Sequence, residues 1–401
     1  MSQPPALPGR RECPLDPPQQ LGDLRRERPV ARVRLWNDDE AWLVTRHDLA
    51  RQVLQDRRFS ADATNPSFPR LSPGLLVGAE RAGRRSFSRM DEPEHGVLRR
   101  MVAQPFSTRS VELRRAEIET VVADLLDQIV HKGPPADLVR DFALPVPTQM
   151  ICHLLGVPYT DHAFFQDRTA TAIVARDATA EQSRTARAEV YAYLDDLVAA
   201  KERDPGDDLI GDLVRRQVRE GRLSHDDVVT MAWLLLVAGH ETTANMLALS
   251  LLTLLTHDHL RAAMLADAAV VPRAVEELLR YHSVLKDGVP RVATEDVAIG
   301  DTLIRAGDGV IISLPAANRD DSVFPDPDTV DFDRPNAHQH VAFGHGLHQC
   351  LGGTLANLEL QIALPAVLRR LPGARLAVPL EEIPFRDDMS VHGVHALPVT
   401  W

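Results

Sequence analysis

The sequence predicts a mainly α-helical fold with a smaller β-rich part. Its longest apolar run extends over residues 228–256, and amphipathic segments with helical periodicity fill most of residues 110–220. Short runs that alternate apolar and polar residues are typical of strands, and they occur near the N-terminus and in the last third of the chain. Because no repeat or linker separates these segments, we expect a single domain over residues 29–401, preceded by a flexible N-terminal arm over residues 1–28.

The composition favours a folded protein that does not bind nucleic acid. Of its 401 residues 44% are hydrophobic, which is enough for a sizeable core, and the formal net charge is −12. Nucleic-acid binders normally carry a basic excess instead. The cysteines are Cys13, Cys152 and Cys350, which are too few and too scattered for a disulfide framework and fit a reducing compartment.

No segment has the pattern of a targeting signal or a membrane anchor. Residues 1–18 are rich in proline and polar residues and lack the apolar centre of a signal peptide. The apolar run at 228–256 is interrupted by charged and polar residues at 240–243, where charge would be costly in lipid. We therefore expect a soluble, cytoplasmic protein in which this run forms a buried core helix.

The N-terminal part combines a hairpin, short helices and a long irregular stretch. Alternating residues at 29–44 flank a turn and predict a β-hairpin, and residues 47–54 have the pattern of a short helix. The stretch 59–89 is rich in proline and glycine, which indicates a lid, a binding loop or a plain surface connection. Another helix is predicted to open within residues 91–100, because acidic residues and Pro93 stand in its first turn.

The long central helix contains a polar interruption. Ser224 and Asp227 have the spacing of a capping box, which predicts where the helix starts. Inside the helix Gly239 costs about 1 kcal/mol relative to alanine. Thr242 can donate a hydrogen bond to the carbonyl four residues earlier and so bend the helix. Because the flanking residues are apolar on all sides, these residues are predicted to face an internal site rather than water.

The loop around Cys350 carries the strongest chemical signal. Residues 343–353 place glycines on both sides of this cysteine, and a helix-like run follows at once. A thiolate just before a helix N-terminus is stabilised by the helix dipole, and glycines let the backbone approach a flat ligand closely. Phe343 can shield the sulfur from water. The pattern suits a soft anionic ligand on a metal, whereas a lone intracellular cysteine is more often a buried, inert thiol.

This loop, from Phe343 through His348 to Gly353, resembles the haem-binding loop of the cytochrome P450 family. Four further motifs occur in the order typical of that family, and the resemblance extends over residues 29–401. It implies a single P450 catalytic domain with haem b buried between the long helix and the cysteine loop. It also implies that the thiolate of Cys350 is the axial ligand of the iron, as the family is known for.

The same resemblance implies roles for further residues. Glu241 and Thr242 match the acid–alcohol motif that passes protons to bound oxygen. His95, Arg99 and Arg291 match the residues that hold the haem propionates, for which a guanidinium fork is well suited. The remaining residues that match cofactor-binding positions of the family are Ala238 and Gly239 in the long helix, and Phe343, Gly344, His348 and Gly352 in the loop.

A Glu–Arg–Arg network is implied in the same way. Glu277 and Arg280 are three residues apart on a predicted helix and can therefore meet, although any helix offers such pairs. With Arg334 they resemble the structural network of the family. The resemblance implies that this network supports folding and the haem loop and takes no part in the chemistry.

The implied activity is that of a monooxygenase, an oxidoreductase of the EC 1.14 class. Such an enzyme inserts one oxygen atom of O₂ into a small organic substrate by hydroxylation or epoxidation. The variant resembles soluble actinobacterial enzymes of secondary metabolism and xenobiotic oxidation, and we expect a monomer. The chain has no flavin or nicotinamide fingerprint, so electrons are expected from a ferredoxin and its ferredoxin reductase. The basic residues expected to dock this partner are Arg99, Arg100, Arg109, Arg114 and Arg115.

Other functions stay open at this level. A haem-thiolate peroxygenase or a nitric-oxide reductase often lacks the acid–alcohol pair that is present here, and a haem-based gas sensor would not need it. The substrate does not follow from the sequence. Phe164, Phe165, Ile173 and Val174 fall where the family has substrate-covering helices, but core packing explains these residues equally well.

Overall fold

The computed structural model describes residues 3–9, 11–71, 86–169, 171, 179–387 and 389–401. Most of this part is helical, as predicted. The helices are α1 (Gln19–Glu27), α2 (His47–Gln55), α3 (Glu94–Ala103), α4 (Thr108–Glu112), α5 (Arg115–Lys132), α6 (Pro145–Leu155), α7 (His162–Thr169), α8 (Ala180–Arg203), α9 (Leu209–Leu213), α10 (His225–Thr256), α11 (Asp258–Ala266), α12 (Val271–His282), α13 (Leu314–Ala317) and α14 (Gly353–Arg370).

The β-structure forms three small sheets. The strands are β1 (Val30–Arg34), β2 (Glu40–Val44), β3 (Phe59–Ser60), β4 (Ala136–Asp137), β5 (Val289–Ala293), β6 (Val297–Ile299), β7 (Thr302–Ile304), β8 (Gly309–Ile312), β9 (Arg375–Leu376) and β10 (Pro398–Thr400). The largest sheet has the order β1-β2-β8-β5-β3 and contains the predicted hairpin of β1 and β2. The other sheets are β4-β10-β9 and the pair β6-β7. In the largest sheet β5 pairs with β8. Residues of β5 form part of the wall of the candidate site.

Helix α10 lies at the centre of the helical core. It packs against α6, α8, α12 and α14, and most of its residues are buried. A helix that is apolar on all sides is stable only inside a protein, which is why this run is internal. The predicted capping box is present, since the Asp227 amide donates to Ser224 Oγ and the Ser224 amide donates to the Asp227 carboxylate at 2.8 Å. Within the described residues, no helix is long and apolar enough to cross a membrane.

A buried ionic cluster joins α12 to the segment before the cysteine loop. Arg280 donates from Nε to Glu277 Oε2 at 2.7 Å, and Arg334 Nε lies 3.0 Å from Glu277 Oε1. Arg280 also donates to the backbone carbonyls of Asn318 and Pro327, each at 2.8 Å. All three charged side chains of the predicted network are buried. The charges are therefore compensated, and the cluster connects α12 to the segment that contains Asn318 and Pro327.

The predicted N-terminal arm is in part built into the fold. Residues 19–27 form α1, whose Leu21 and Leu24 are buried against the first strands, and Ala6 pairs with Arg34 of β1. The apolar spacing of Leu21 and Leu24 accounts for this helix, because it gives one buried face. The described part of the arm is thus not the flexible extension we expected, and a domain boundary at residue 29 stays a prediction.

The C-terminal part of the chain contains a short hairpin. The Arg386 amide donates to Gly393 O at 2.9 Å and the His395 amide donates to Pro384 O at 2.7 Å, so the chain turns back between these residues. Beyond this hairpin, β10 pairs with β4 and β9 instead of continuing it. Pro398 has no amide hydrogen to donate, which limits the pairing of the last strand.

Candidate active site

One cavity brings most of the predicted site residues together. It lies between the middle of α10, the loop before α14 and the segment that leads into β5. The predicted residues on its wall are Ala238, Gly239 and Thr242 from α10; Phe343, Gly344, His348, Cys350 and Gly352 from the loop; and His95, Arg99 and Arg291 from α3 and β5. Glu241 is the exception, because it does not line this cavity.

Glycines and backbone hydrogen bonds shape the loop around Cys350. Gly344 and Gly346 have φ angles of 70° and 73°, which side chains disfavour. The Cys350 amide donates to the carbonyl of Phe343 at 2.8 Å and so closes the loop. An added Cβ at Gly353 would meet the Phe343 ring at 3.3 Å, so the ring packs directly against the start of α14. The loop therefore holds Cys350 rigidly at the N-terminus of that helix.

Cys350 lines the cavity and is exposed to it, although many protein atoms surround the sulfur. Burial raises the pKa of this thiol above its ordinary value, while the amides of Gly352 and Gly353 and the nearby Arg99 guanidinium lower the pKa. Amide hydrogens and a cation beside the sulfur stabilise a thiolate. A cation bound to the sulfur would add to this stabilisation, so the donor chemistry fits a thiolate metal ligand.

A group of cations and imidazoles borders the cavity on one side. The His95 and His348 rings lie 4.1 Å apart, and His95 Nε2 is buried with no hydrogen-bond partner among the described residues. Burial, followed by the nearby Arg89, lowers the pKa of Arg291 to about 10, and burial with Arg291 and His95 nearby lowers that of His348 to about 3. Burial is the larger cause of both shifts, and the neighbouring cations add positive potential that the carboxylates of a bound ligand would offset.

The cavity face of α10 has two kinds of close contact. An added Cβ at Gly239 would lie 3.0 Å from Ile151 Cγ1, so glycine is needed there for the approach of α6. Thr242 Oγ1 donates to the carbonyl of Ala238 at 2.9 Å. The back-bonding expected for Thr242 is present, but α10 continues as helix through this region without interruption.

Glu241 points away from the cavity into a buried polar cluster. Its Oε2 accepts hydrogen bonds from Arg386 Nη1 at 2.7 Å and from Asn245 Nδ2 at 3.2 Å. Its Oε1 lies 4.0 Å from His240 Nε2. Glu241 and Thr242 are consecutive residues, and consecutive side chains leave a helix in directions about 100° apart, so Thr242 lines the cavity while Glu241 is turned towards Arg386. The Glu241 carboxylate and the Thr242 hydroxyl are thus neighbours in sequence but lie on different sides of α10.

Three residues at the site were missed by the sequence argument. Arg89 and Glu359 line the cavity, and Arg386 binds Glu241. Glu359 shares a helix face with Gly352 and Leu355, and this helical spacing was a usable signal. Arg386 lies 145 residues from Glu241, so no local pattern could have found that pair.

Other predicted residues have different surroundings. Phe165 is buried against Tyr193, with ring centroids 4.7 Å apart, which favours core packing for this residue. Ile173 and Val174 lie outside the described residues. Of the predicted docking residues, Arg99 donates to the carbonyl of Gln349 at 2.7 Å and lines the cavity. In the same set, Arg100 and Arg109 are exposed, while Arg114 and Arg115 form ion pairs with Glu117 and Glu112.

Comparisons with known proteins agree with this architecture. Residues 171–372 match the family model described as Cytochrome P450. The chain is 50% identical to Cytochrome P450-SU2 of Streptomyces griseolus over 97% of this chain and 94% of that protein. It is 45% identical to the Vitamin D3 dihydroxylase of the same organism over 99% of this chain and 97% of that protein.

Solved structures agree as well. The structure of mycinamicin VIII C21 methyl hydroxylase from Micromonospora griseorubida, bound to mycinamicin VIII, superposes with a TM-score of 0.93 at 42% identity. The alignment covers 99% of this chain and 100% of that chain. Cytochrome P450 MoxA from Nonomuraea recticatena superposes with a TM-score of 0.90 at 45% identity, over 99% of this chain and 98% of that chain.

The mainly helical fold, with a cysteine loop facing a long central helix, defines a haem-thiolate protein. The chain belongs to the cytochrome P450 family and is a haem monooxygenase. Its own residues fit the cofactor. Cys350 offers a sulfur on the cavity wall, and His95 offers a buried Nε2 that has no hydrogen-bond partner among the described residues.

Proposed function

We propose that this enzyme inserts one atom of O₂ into an apolar organic substrate, by hydroxylation or epoxidation. The observation that carries the proposal is the placement of Thr242 and Cys350 on the wall of one cavity, the first on α10 and the second on the loop before α14. The haem, when bound, supplies the activation of oxygen. The chain's residues bind and orient the cofactor and substrate, exclude water and hold protons.

The cofactor-binding role is proposed for residues on two sides of the cavity. Cys350 supplies the thiolate ligand, and the cations of Arg89, Arg99 and Arg291 with His95 bind the carboxylates of the haem. Gly239 and Ala238 present a face without long side chains. Phe343 packs against the start of α14 and shields the sulfur from bulk water.

The proton-handling role is proposed for the middle of α10. The hydroxyl of Thr242 borders the cavity and can hold a proton or a water molecule there, although in this structure it donates to Ala238 O. Glu241 is the nearest carboxylate in sequence, and it can accept a proton from solvent and pass it to the Thr242 side after its side chain turns. The proposal therefore requires the Glu241 carboxylate to leave the position it has beside Arg386.

The substrate is proposed to be a mainly apolar molecule related to secondary metabolism or xenobiotic oxidation. The described wall on the α10 side contains Leu234, Leu235 and Ile151, and that on the β5 side contains Val284 and Leu285. Burying such surface favours an apolar ligand. The relatives named above act, by their names, on vitamin D3 and mycinamicin VIII, which are organic molecules of this kind.

We further propose that a ferredoxin and its reductase supply the electrons. A second, more polar depression lies on the other side of Cys350 and is bordered by Arg115 and Gln349. The exposed Arg100 and Arg109 lie on the helices next to it and can attract an acidic partner. The working form is proposed to be a monomeric, cytoplasmic protein whose catalytic domain spans residues 29–401.

A binding screen followed by turnover tests this function. Apolar candidate compounds are scored by the spin-state shift of the Soret band, and each binder is incubated with NADH, a ferredoxin, its reductase and O₂. We expect an oxygenated product in proportion to NADH consumed. Product formed only with hydrogen peroxide would favour a peroxygenase. Consumption of nitric oxide, or ligand binding with no turnover, would favour the reductase or the sensor.

A further inference from the structure

Several buried nitrogen atoms outside the cavity have hydrogens to donate and no acceptor. They belong to Arg11 near the N-terminus, to His282 at the end of α12 and to Arg319 just after α13. Arg11 Nε and Nη2, Arg319 Nε and His282 Nδ1 are buried, and none has a hydrogen-bond partner among the described residues. Guanidinium nitrogens can only donate. Because unpartnered buried donors are costly, we expect a group that accepts hydrogen bonds between them.

The free nitrogen of His282 is a donor as well. Its Nε2 lies 3.0 Å from the hydroxyl of Thr253, which has no other hydrogen-bond partner within the described part of the chain. The hydroxyl therefore donates to Nε2, which leaves the hydrogen of a neutral ring on Nδ1. The ring is neutral, because burial, followed by the charges of Arg319 and Arg11, lowers the pKa of His282 to about 3. The unpartnered atoms of these three side chains are thus all donors.

These side chains lie in one small region beneath the N-terminal segment. Arg11 Nη1 donates to the carbonyl of Asp16 at 2.8 Å, and Arg319 Nη1 lies 3.4 Å from Oδ1 of the same aspartate. Arg319 Nη2 donates to the carbonyl of Tyr281 at 3.1 Å, directly before His282 in the chain. The exposed fractions of His282 and Arg319 are both 2%. One ligand can therefore face both guanidinium groups and the imidazole.

The charge of Arg11 is not compensated by an ion pair. Arg319 pairs with Asp328 at 2.6 Å, whereas Arg11 has no such partner among the residues that the structure describes. Burial and then Arg319 lower the pKa of Arg11 to about 10, and the more distant Asp16 and Asp387 offset this only in part. A buried cation without a counter-ion calls for one negative charge. A water molecule could accept hydrogen bonds here, but it would not supply that charge.

We propose that Arg11, Arg319 and His282 bind a small monovalent inorganic anion of the size and charge of chloride. Their unpartnered N–H groups donate to the anion, and Arg11 is its counter-charge. His392 of the C-terminal hairpin lies beside Arg11 and His282, and its amide donates to the carbonyl of Val284 at 2.8 Å. Because Val284 lines the cavity, the anion joins the N-terminal segment to an element next to the substrate space.

Bromide gives a direct test, because it can replace chloride and can be located by its anomalous X-ray scattering. Crystals of the haem-loaded protein are soaked in sodium bromide. We expect an anomalous peak in hydrogen-bond contact with Arg11 Nε or Nη2 and with His282 Nδ1. A water molecule without anomalous signal at this position would overturn the proposal. Bromide at the molecular surface alone would be an adventitious ion only and would overturn it as well.

In solution, the chloride dependence of stability tests the same site. Urea unfolding of the wild type and of Arg11→Gln is measured with increasing sodium chloride. Sodium gluconate keeps the ionic strength constant, because gluconate is much larger than chloride. We expect chloride at ten times its dissociation constant to shift the unfolding equilibrium of the wild type about tenfold towards the folded state. Arg11→Gln is expected to show no such shift.

Two further variants complete the experiment. Arg57→Gln is the matched control, because Arg57 is exposed, and it is expected to keep the chloride dependence of the wild type. His282→Phe removes one donor and covers the case in which Arg11→Gln does not fold, and its chloride dependence is expected to be weaker. Equal chloride dependence in the wild type and in Arg11→Gln would overturn the proposal, because general salt effects do not need this guanidinium. So would a wild-type stability that does not change with chloride.

Discussion

At the scale of single residues, two polar side chains on the cavity wall have different surroundings. The hydroxyl of Thr242 has an acceptor in the carbonyl of Ala238. The carboxyl of Glu359 is buried, and its Oε2 has no hydrogen-bond partner among the described residues. Removing the Thr242 hydroxyl is therefore expected to disturb the chemistry more than the stability. The Glu359 carboxyl, in contrast, is expected to make the stability of the protein depend on pH.

Replacing Thr242 by alanine tests the proton-handling role. We expect Thr242→Ala to fold, to bind haem and to bind substrate nearly as the wild type does, because it loses only one hydrogen bond worth about 1 kcal/mol. Product per NADH is expected to fall several-fold, since reducing equivalents are lost to peroxide or water. Thr230→Ala is the matched control, because Thr230 donates to the carbonyl of Asp226 in the same helix at 2.8 Å and does not line the cavity. Equal coupling in both variants would remove Thr242 from the proton route.

Glu359 is expected to make the protein less stable as the pH rises. Burial raises the pKa of this carboxyl from its ordinary value of 4.5 to about 8. Between these values the unfolded chain releases the proton and the folded protein keeps it, so the free energy of unfolding falls with increasing pH. Glu359→Gln is expected to lose this dependence and to gain about 3 kcal/mol over the wild type between pH 5 and pH 8.

The measurement is urea unfolding at several pH values, followed by far-UV circular dichroism. Glu381→Gln is the control, because Glu381 is exposed. The same pH dependence in the wild type and in Glu359→Gln would show that Glu359 is ionised in the folded protein.

At the scale of elements, the ionic cluster of α12 is predicted to support the cysteine loop. Glu277 compensates two buried arginines, and Arg280 also satisfies backbone carbonyls on the segment that precedes the loop. Removing Glu277 leaves both arginines without their carboxylate, and removing Arg280 leaves Glu277 with Arg334 as its remaining cation among the described residues. The cost depends on this lost compensation more than on the attraction within the pair.

Arg280→Ala is therefore expected to yield little folded protein with haem. The loss of one partner of a buried pair costs about 3–5 kcal/mol, which is a large share of the stability of a typical protein. Arg26→Ala is the control, because Arg26 pairs with Asp23 on the surface, where such pairs contribute about 0–1 kcal/mol. Soluble yield and haem content per protein are the measurements. Wild-type values for Arg280→Ala would mean that the cluster is not required for folding.

At the scale of the whole molecule, features carried by one continuous segment were predictable and features made by distant segments were not. Ser224 and Asp227 identify the start of α10 because a capping box needs only four residues. The glycines around Cys350 likewise predict a tight loop before a helix. The sequence of α10 did not predict one contact of Gly239, whose missing side chain makes room for Ile151 of α6. That contact depends on how two helices pack, which the sequence of α10 alone does not encode.

The arrangement of charges shows the same limit. The acid–alcohol motif identifies Glu241 as a candidate site residue. The orientation of its side chain, however, depends on Arg386 in the C-terminal hairpin. Arg89 joins Arg291 at the cavity only because the chain before α3 lies next to β5. Buried ion pairs between remote segments have no periodicity in sequence, so the residues alone do not identify their partners. The pair of Glu277 and Arg334 was expected only because the family resemblance implied it.

The central claim is that Cys350 provides the thiolate ligand of a haem held between α10 and the loop before α14. The most direct test is the absorption spectrum of the reduced carbon monoxide complex of the wild type and of Cys350→Ser. Cys152→Ser is the matched control, because Cys152 is buried in the core away from the cavity. We predict that Cys350→Ser loses the red-shifted Soret band typical of thiolate ligation while Cys152→Ser keeps it. An unchanged band in Cys350→Ser would contradict the account.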